Sequence, residues 1–134
     1  MKNHTRIKVR GYHLDLYGHV NNARYLEFLE EARWSFIENE IDLEKWRKLG
    51  FAFTVVKITI NYRRAASLGD ILDIHTRLEK LGAKSGMVRQ DVVLSGTDKR
   101  IADAEVVFVI VDVETGKATR LEGEIYTALK SLAT

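Results

Sequence analysis

GYHLDLYGHVNNARYLEFLEEAR, residues Gly11 to Arg33, joins a loop dense in polar groups to a helix with a broad apolar face, and the reading of that helix decides the fold. Asn21 and Asn22 are good N-caps, because a short amide side chain accepts from the free backbone N–H groups of a first turn. No Gly or Pro follows for many residues, so the sequence predicts a long helix starting there. At helical spacing, Tyr25, Leu29, Ala32 and Phe36 form a central stripe flanked by Leu26, Phe28 and Ile37. Arg24, Glu27, Glu31 and Glu38 fall on the far side. A face this wide needs a large cover, and the chain from Phe51 onward reads as strand, so the expected cover is a curved antiparallel sheet.

Outward from that stretch, Arg6 to Arg10 alternates basic residues with Ile7 and Val9, which suits a short strand with one buried face. Ile41 to Leu49 carries Leu43, Trp46 and Leu49 at helical spacing, and Gly50 suits the end of a short second helix. Phe51 to Tyr62 is β-branched and aromatic, with Val56, Ile58, Ile60 and Tyr62 expected on one face. Ile71 to Leu81 and Met87 to Ser95 follow as strands. Arg100 to Val113 is the last, with Ala102, Ala104, Val106, Phe108 and Ile110 aligned. The turns at Gly82–Gly86 and Gly96–Lys99 predict consecutive hairpins and a meander. From Leu121, the spacing of Ile125, Leu129 and Leu132 predicts a closing helix.

The expectation is an α+β fold, a five-stranded antiparallel sheet wrapped around one long central helix, in one domain over residues 1–134. An open sheet has edges that invite pairing. Phe51 to Tyr62 and Arg100 to Val113 are the longest β-branched runs expected at such edges, and neither has a proline or enough charge to keep a second chain away, so a homodimer or homotetramer is expected.

Composition narrows the function. The 21 basic and 19 acidic residues are interleaved and leave a formal charge of +2, which disfavours bulk nucleic-acid binding. With no cysteine there is neither a thiolate nucleophile nor cysteine-bound zinc. The histidines lack ligand spacing, so neither a metal nor another cofactor is expected. No stretch has the length of a signal peptide or membrane span, which suits a cytoplasmic protein.

Asp15 precedes the first helical turn, where free N–H groups and the helix dipole favour developing negative charge. A carboxylate beside an oxyanion site is enough for ester or thioester hydrolysis, with the carboxylate activating water or attacking directly. A lone loop aspartate also reads as a turn cap. His19 suits a substrate carbonyl or a structural partner, and Tyr12, Tyr17 and Tyr25 suit core, interface or pocket lining. No serine lies in a G-x-S-x-G setting. Arg63 and Arg64 after the long strand, with Lys84 in a later turn, read either as a phosphate site or as solvated surface.

With DLYGHVNNARYLEFLEEAR and INYRRAASLGD in view, the chain resembles the hotdog-fold acyl-CoA thioesterases of the 4-hydroxybenzoyl-CoA thioesterase group, most of all their bacterial long-chain acyl-CoA branch. The resemblance runs from Ile7 to about Leu129. It implies Asp15 as the catalytic carboxylate, with the backbone of Gly18, His19, Val20 and Asn21 and the Tyr25 side chain beside the thioester, at a site between two subunits. It also implies Arg63 and Arg64 as contacts for coenzyme A phosphates, a site that Lys84, from its place in the later turn, is expected to share. Related sequences often have proline where this chain has Ala65. Some branches of the fold use a helix glutamate, for which Glu27, Glu30 and Glu31 are the local alternatives. The implied activity is hydrolysis of long-chain fatty acyl-CoA. Aromatic acyl-CoA or carrier-protein substrates, and a non-catalytic acyl-CoA sensor, are the rivals.

Overall fold

Tyr25, Phe28, Leu29, Ala32 and Phe36 are buried along one face of α1 (Arg24–Glu38). The computed structural model, which describes residues 3–133, lays that face on a six-stranded antiparallel sheet. The strands are β1 (Asn3–Lys8), β2 (Phe51–Tyr62), β3 (Ile71–Leu81), β4 (Ser85–Leu94), β5 (Arg100–Asp112) and β6 (Lys117–Ala118). Their order is β1-β3-β4-β5-β2, with β6 paired to β5. A short α2 (Leu43–Lys48) and a closing α3 (Gly123–Ser131) complete the chain. This is the α+β hotdog arrangement of a sheet curled around one long helix.

The meander β3-β4-β5 is as the turns predict, but β2 departs from it. It does not pair with β3; it pairs along its length with β5, from Phe51 opposite Asp112 to Tyr62 opposite Ala102. Arg100–Asp112 is therefore an interior strand, contrary to the expected edge. The burial explains the placement: β5 buries every inward residue from Ala102 to Ile110 and half-buries Val107, Val109 and Val111 on the other face, a demand met only with neighbours on both sides. β2 has no fully buried residue and stands at the edge. The sixth strand, β6, has two residues and no alternation for the sequence to reveal.

Within β2 the register shifts between Val55 and Lys57. Val56 is the extra residue of this bulge and is 56% exposed, so it does not share a face with the half-buried Ile58 and Ile60. At the other edge, β1 starts at Asn3 and ends at Lys8, earlier than Arg6 to Arg10: Val9 N–H still bonds its opposite, Asp70 O, at 2.8 Å, but Asp70 N–H turns away to Ser67 O at 3.0 Å and Val9 O accepts from Gly69 N–H instead. Asp73 on β3 accepts from His4 Nε2 and Arg6 Nε of β1, both at 3.0 Å. Burial pushes the Asp73 carboxyl up, yet the bonds from His4, Arg6 and Ser95 outweigh it and hold the pKa at about 2.

The start of α1 also differs from expectation. Asn21 Oδ1 accepts from Ala23 N–H at 3.0 Å and Asn21 O accepts from Arg24 N–H at 2.9 Å, so Asn21 caps one turn before the regular helix. Asn22 does not cap. Leu26 lies outside the buried stripe at 42% exposure.

The core has two parts. The N-terminal half of α1 packs with Leu72, Ile74, Val92, Ala102 and Ala104, and its C-terminal end with Leu78, Val88, Val106, Phe108 and Ile110, closed by Leu129 and Leu132. Full burial of a side chain such as Leu29 contributes about 1.5–3 kcal/mol. At the joint sits Gln90, fully buried, whose Nε2 donates to Leu29 O at 2.9 Å and Thr76 Oγ1 at 3.1 Å, while its Oε1 accepts from Arg33 Nη1 at 3.1 Å.

Candidate active site

The loop before α1 is a miniature hairpin. Leu14 bridges to Val20, Asp15 N–H donates to His19 O at 2.8 Å, and Gly18 N–H donates to Asp15 O at 3.2 Å. Gly18 sits at φ +79, the left-handed region that closes such a turn without the penalty a Cβ carries. The sequence D-x-x-G is thus the signature of the turn itself. Buried His13 pins the loop from behind: its Nδ1 accepts from Arg10 N–H at 2.8 Å and its carbonyl accepts from Asn21 N–H at 2.8 Å. Burial, with Arg24 and Arg10 nearby, pushes the His13 pKa down, which favours the neutral ring this bond requires.

Asp15 is half-buried. Its Oδ1 accepts from Tyr17 N–H at 2.8 Å and His19 N–H at 3.2 Å, whereas Oδ2 has no protein partner among the described residues. The carboxylate is therefore a turn cap through one oxygen and available for chemistry through the other. The amides of Gly18, His19, Val20 and Asn21 are all engaged, on Asp15 O, Asp15 Oδ1, Ala66 O and His13 O. Among the described residues, the Asn22 amide at this helix start has no protein acceptor. From the sequence, Asn22 reads only as a cap.

Asp15, His19, Asn22, Tyr25, Tyr62 and Arg64 line an open pocket of about 410 Å³. Tyr62 was not singled out from the sequence as a site residue, yet its hydroxyl donates to Asn22 O at 3.0 Å and its ring meets Tyr25 edge-on at 5.5 Å. The Tyr25 phenol is pushed up to about 12 by burial, against a backbone hydrogen bond from Ala66, so it stays neutral. The alternative glutamates lie elsewhere. Glu27 pairs with Arg24, Glu30 accepts from Trp34 Nε1, and all three of Glu27, Glu30 and Glu31 are exposed and outside this pocket.

The three basic residues do not converge within one chain. Arg63 and Arg64 lie at the end of the sheet where their amides donate to Ile101 O, while Lys84 sits in the β3–β4 turn beside Gly86, which pairs with Phe108. Seven residues of β5 separate the two places, roughly 23 Å of strand. Arg63 is also committed: its Nε donates to Asp103 Oδ2 at 2.8 Å, and this bond chiefly holds the buried Asp103 carboxyl below its ordinary range. Both arginines line the pocket, but Arg64 has no ion pair among the described residues.

A second cavity, an apolar groove of about 520 Å³, runs along the C-terminal half of α1 against α2, β2 and β5. Phe36, Trp46, Phe53, Phe108 and Leu132 wall it, with Arg33 at its side. Tyr25 at the open pocket and Phe36 in the groove are eleven residues apart on α1, about 16 Å. Among the described residues no His, Cys, Asp and Glu group could hold a metal, and no helix is long and apolar enough to cross a membrane.

Residues 9–129 match the thioesterase-like superfamily. The long-chain acyl-CoA thioesterase FadM of Escherichia coli K12 is 51% identical over 128 residues, which cover 96% of this chain and 97% of FadM. The crystal structure of YbaW from Escherichia coli superposes with a TM-score of 0.92 at 49% identity, covering 98% of this chain and 99% of YbaW. A 1,4-dihydroxy-2-naphthoyl-CoA thioesterase from Synechocystis, 21% identical, shares the fold with a TM-score of 0.86, covering 98% of each chain.

Proposed function

This chain belongs to the thioesterase-like superfamily, and on that premise we propose that it hydrolyses long-chain fatty acyl-CoA to a free fatty acid and coenzyme A at the pocket beside Asp15. The observation that carries the reading is Asp15 itself: one oxygen is tied to the loop, the other is unbonded, and an unengaged amide lies at the adjoining helix start. The likeness to FadM over nearly the whole chain supports the substrate class.

In this reading the Asn22 N–H, aided by the dipole of α1, polarises the thioester carbonyl. Asp15 takes a proton from water as hydroxide adds to the carbonyl carbon. The tetrahedral intermediate then collapses with loss of the coenzyme A thiolate. Direct attack by Asp15 would instead form an anhydride that water cleaves, with the same balance. Tyr25 and Tyr62 fix the helix start, and Arg64 offers the free guanidinium for the phosphates. The apolar groove gives a long acyl chain somewhere to lie, which favours it over a compact aromatic acyl group. Carrier-protein thioesters would use the same chemistry, whereas a sensor would bind without turnover.

The protein works as a cytoplasmic homodimer or homotetramer in which β2 edges pair, because that strand leaves its outer ladder open. Thiol release across an acyl-CoA series tests the function. The expected result is kcat/KM rising with chain length; release no faster than that of Asp15→Ala on every chain would refute it.

A further inference from the structure

Arg33 is the feature of the groove that hydrolysis does not use. It is half-buried, and one of its N–H groups, on Nη1, donates to Gln90 Oε1. Burial pushes its pKa down and Glu30 acts the other way, but a guanidinium stays protonated throughout the working range. The carboxylates lining the groove are engaged elsewhere: Glu30 accepts from Trp34 Nε1 at 3.3 Å, and Glu44 is bound by Arg47 through Nε at 3.1 Å and Nη2 at 2.6 Å. Among the described residues no carboxylate stands within ion-pair distance of Arg33, and every other arginine that is not exposed has one. The groove therefore combines apolar walls with one cation whose remaining donors lack a counter-anion. A half-buried guanidinium of this kind favours an incoming carboxylate, which it can grip with two parallel bonds.

We infer that this groove is a binding site for a free long-chain fatty acid, with the chain between α1 and the sheet and its carboxylate on Arg33. The inference rests on the proposed hydrolysis only for the source of the ligand. A thioester carries no charge at its carbonyl, so Arg33 discriminates the released acid from the ester. The retained acid occupies apolar space that the next acyl chain needs, and it acts as a competitive product inhibitor through Arg33.

Both tryptophans of the chain, Trp34 and Trp46, line the groove, so their fluorescence reads occupancy without any turnover. The full-length protein is titrated with palmitate and with hexadecanol, below their aggregation limits. Palmitate should bind on the order of tenfold to a hundredfold more tightly, since a charged hydrogen-bond pair replaces a neutral contact. Arg33→Met should bring palmitate to the level of hexadecanol and relieve palmitate inhibition of thiol release, and Arg33→Lys should keep part of the preference. Absence of a tryptophan response, equal affinity for acid and alcohol in the unmodified protein, or an acid preference surviving in Arg33→Met would each overturn the inference. The comparison of acid with alcohol needs no variant, so it decides even if Arg33→Met fails to fold. Binding without turnover would refute the proposed hydrolysis and leave this site standing; turnover without acid binding would do the reverse.

Discussion

Replacing Asp15 in two ways separates its structural oxygen from its chemical one. Asparagine at this position keeps an Oδ1 that accepts from Tyr17 and His19 N–H, and it is as well suited as aspartate to open a tight turn. Alanine removes both acceptors. The two amides are exposed, so water replaces much of what is lost, and the cost is about 1 kcal/mol, lowering Tm by roughly 3–6 °C in a chain of this length. The catalytic loss should be the same in both variants, at least about a hundredfold in kcat if the carboxylate is the base. Thermal melts followed by circular dichroism, alongside thiol release with a long-chain acyl-CoA, give both numbers. The expected pattern is Asp15→Asn folded like the unmodified protein and nearly inactive, and Asp15→Ala less stable and equally inactive. Turnover by Asp15→Asn within a few-fold of normal would refute the catalytic assignment and reduce Asp15 to a turn cap.

The adjacent arginines should behave differently from one another. Arg64→Ala should raise KM for acyl-CoA most at low salt, whereas Arg63→Ala should leave KM alone and lower the midpoint of a urea melt, because buried Asp103 loses its bond from Arg63. Stability should fall with acid through Asp73: its folded pKa, at about 2, lies below the unfolded value, so its contribution is complete above about pH 4 and is lost as the pH drops toward 2. Asp73→Asn should flatten that part of the profile in urea melts taken at each pH. Val56→Lys, at the exposed bulge of edge strand β2, should shift sedimentation toward monomer and lower specific activity in parallel; an unchanged assembly would remove β2 from the interface.

Local patterns were legible where local chemistry decides. The stripe of Tyr25, Leu29, Ala32 and Phe36 located the buried face of α1, and the β-branched run from Phe51 to Tyr62 matched β2 residue for residue. Asp15 as a turn cap was readable too, since a tight turn needs an acceptor at its start, whereas the left-handed Gly18 that closes the turn emerges from the backbone. What depends on distant pairing was not. Nothing local in β2 says that it passes β3 to pair with β5, and the bulge at Val56 is a property of two strands together. In the site, the engagement of the four predicted amides, the diversion of Arg63 to Asp103 and the separation of Lys84 from both arginines arise from contacts across the sheet.

Gln90 bears on how the chain avoids near-correct folds. Apolar burial alone does not tell β4 where to stand against β3, because sliding the strand by two residues keeps Val88 and Val92 facing inward. The buried amide breaks that degeneracy. Opposite Thr76, and beneath Leu29 O and Arg33, it meets acceptors and a donor; slipped by two it would face Ile74 or Leu78 instead. Each stranded polar group then costs about 1–3 kcal/mol, a large part of the margin by which a domain is stable. Gln90 is thus an alignment key: it adds little to the depth of the native state, and it raises the competitors that greasy side chains alone would have left level with it.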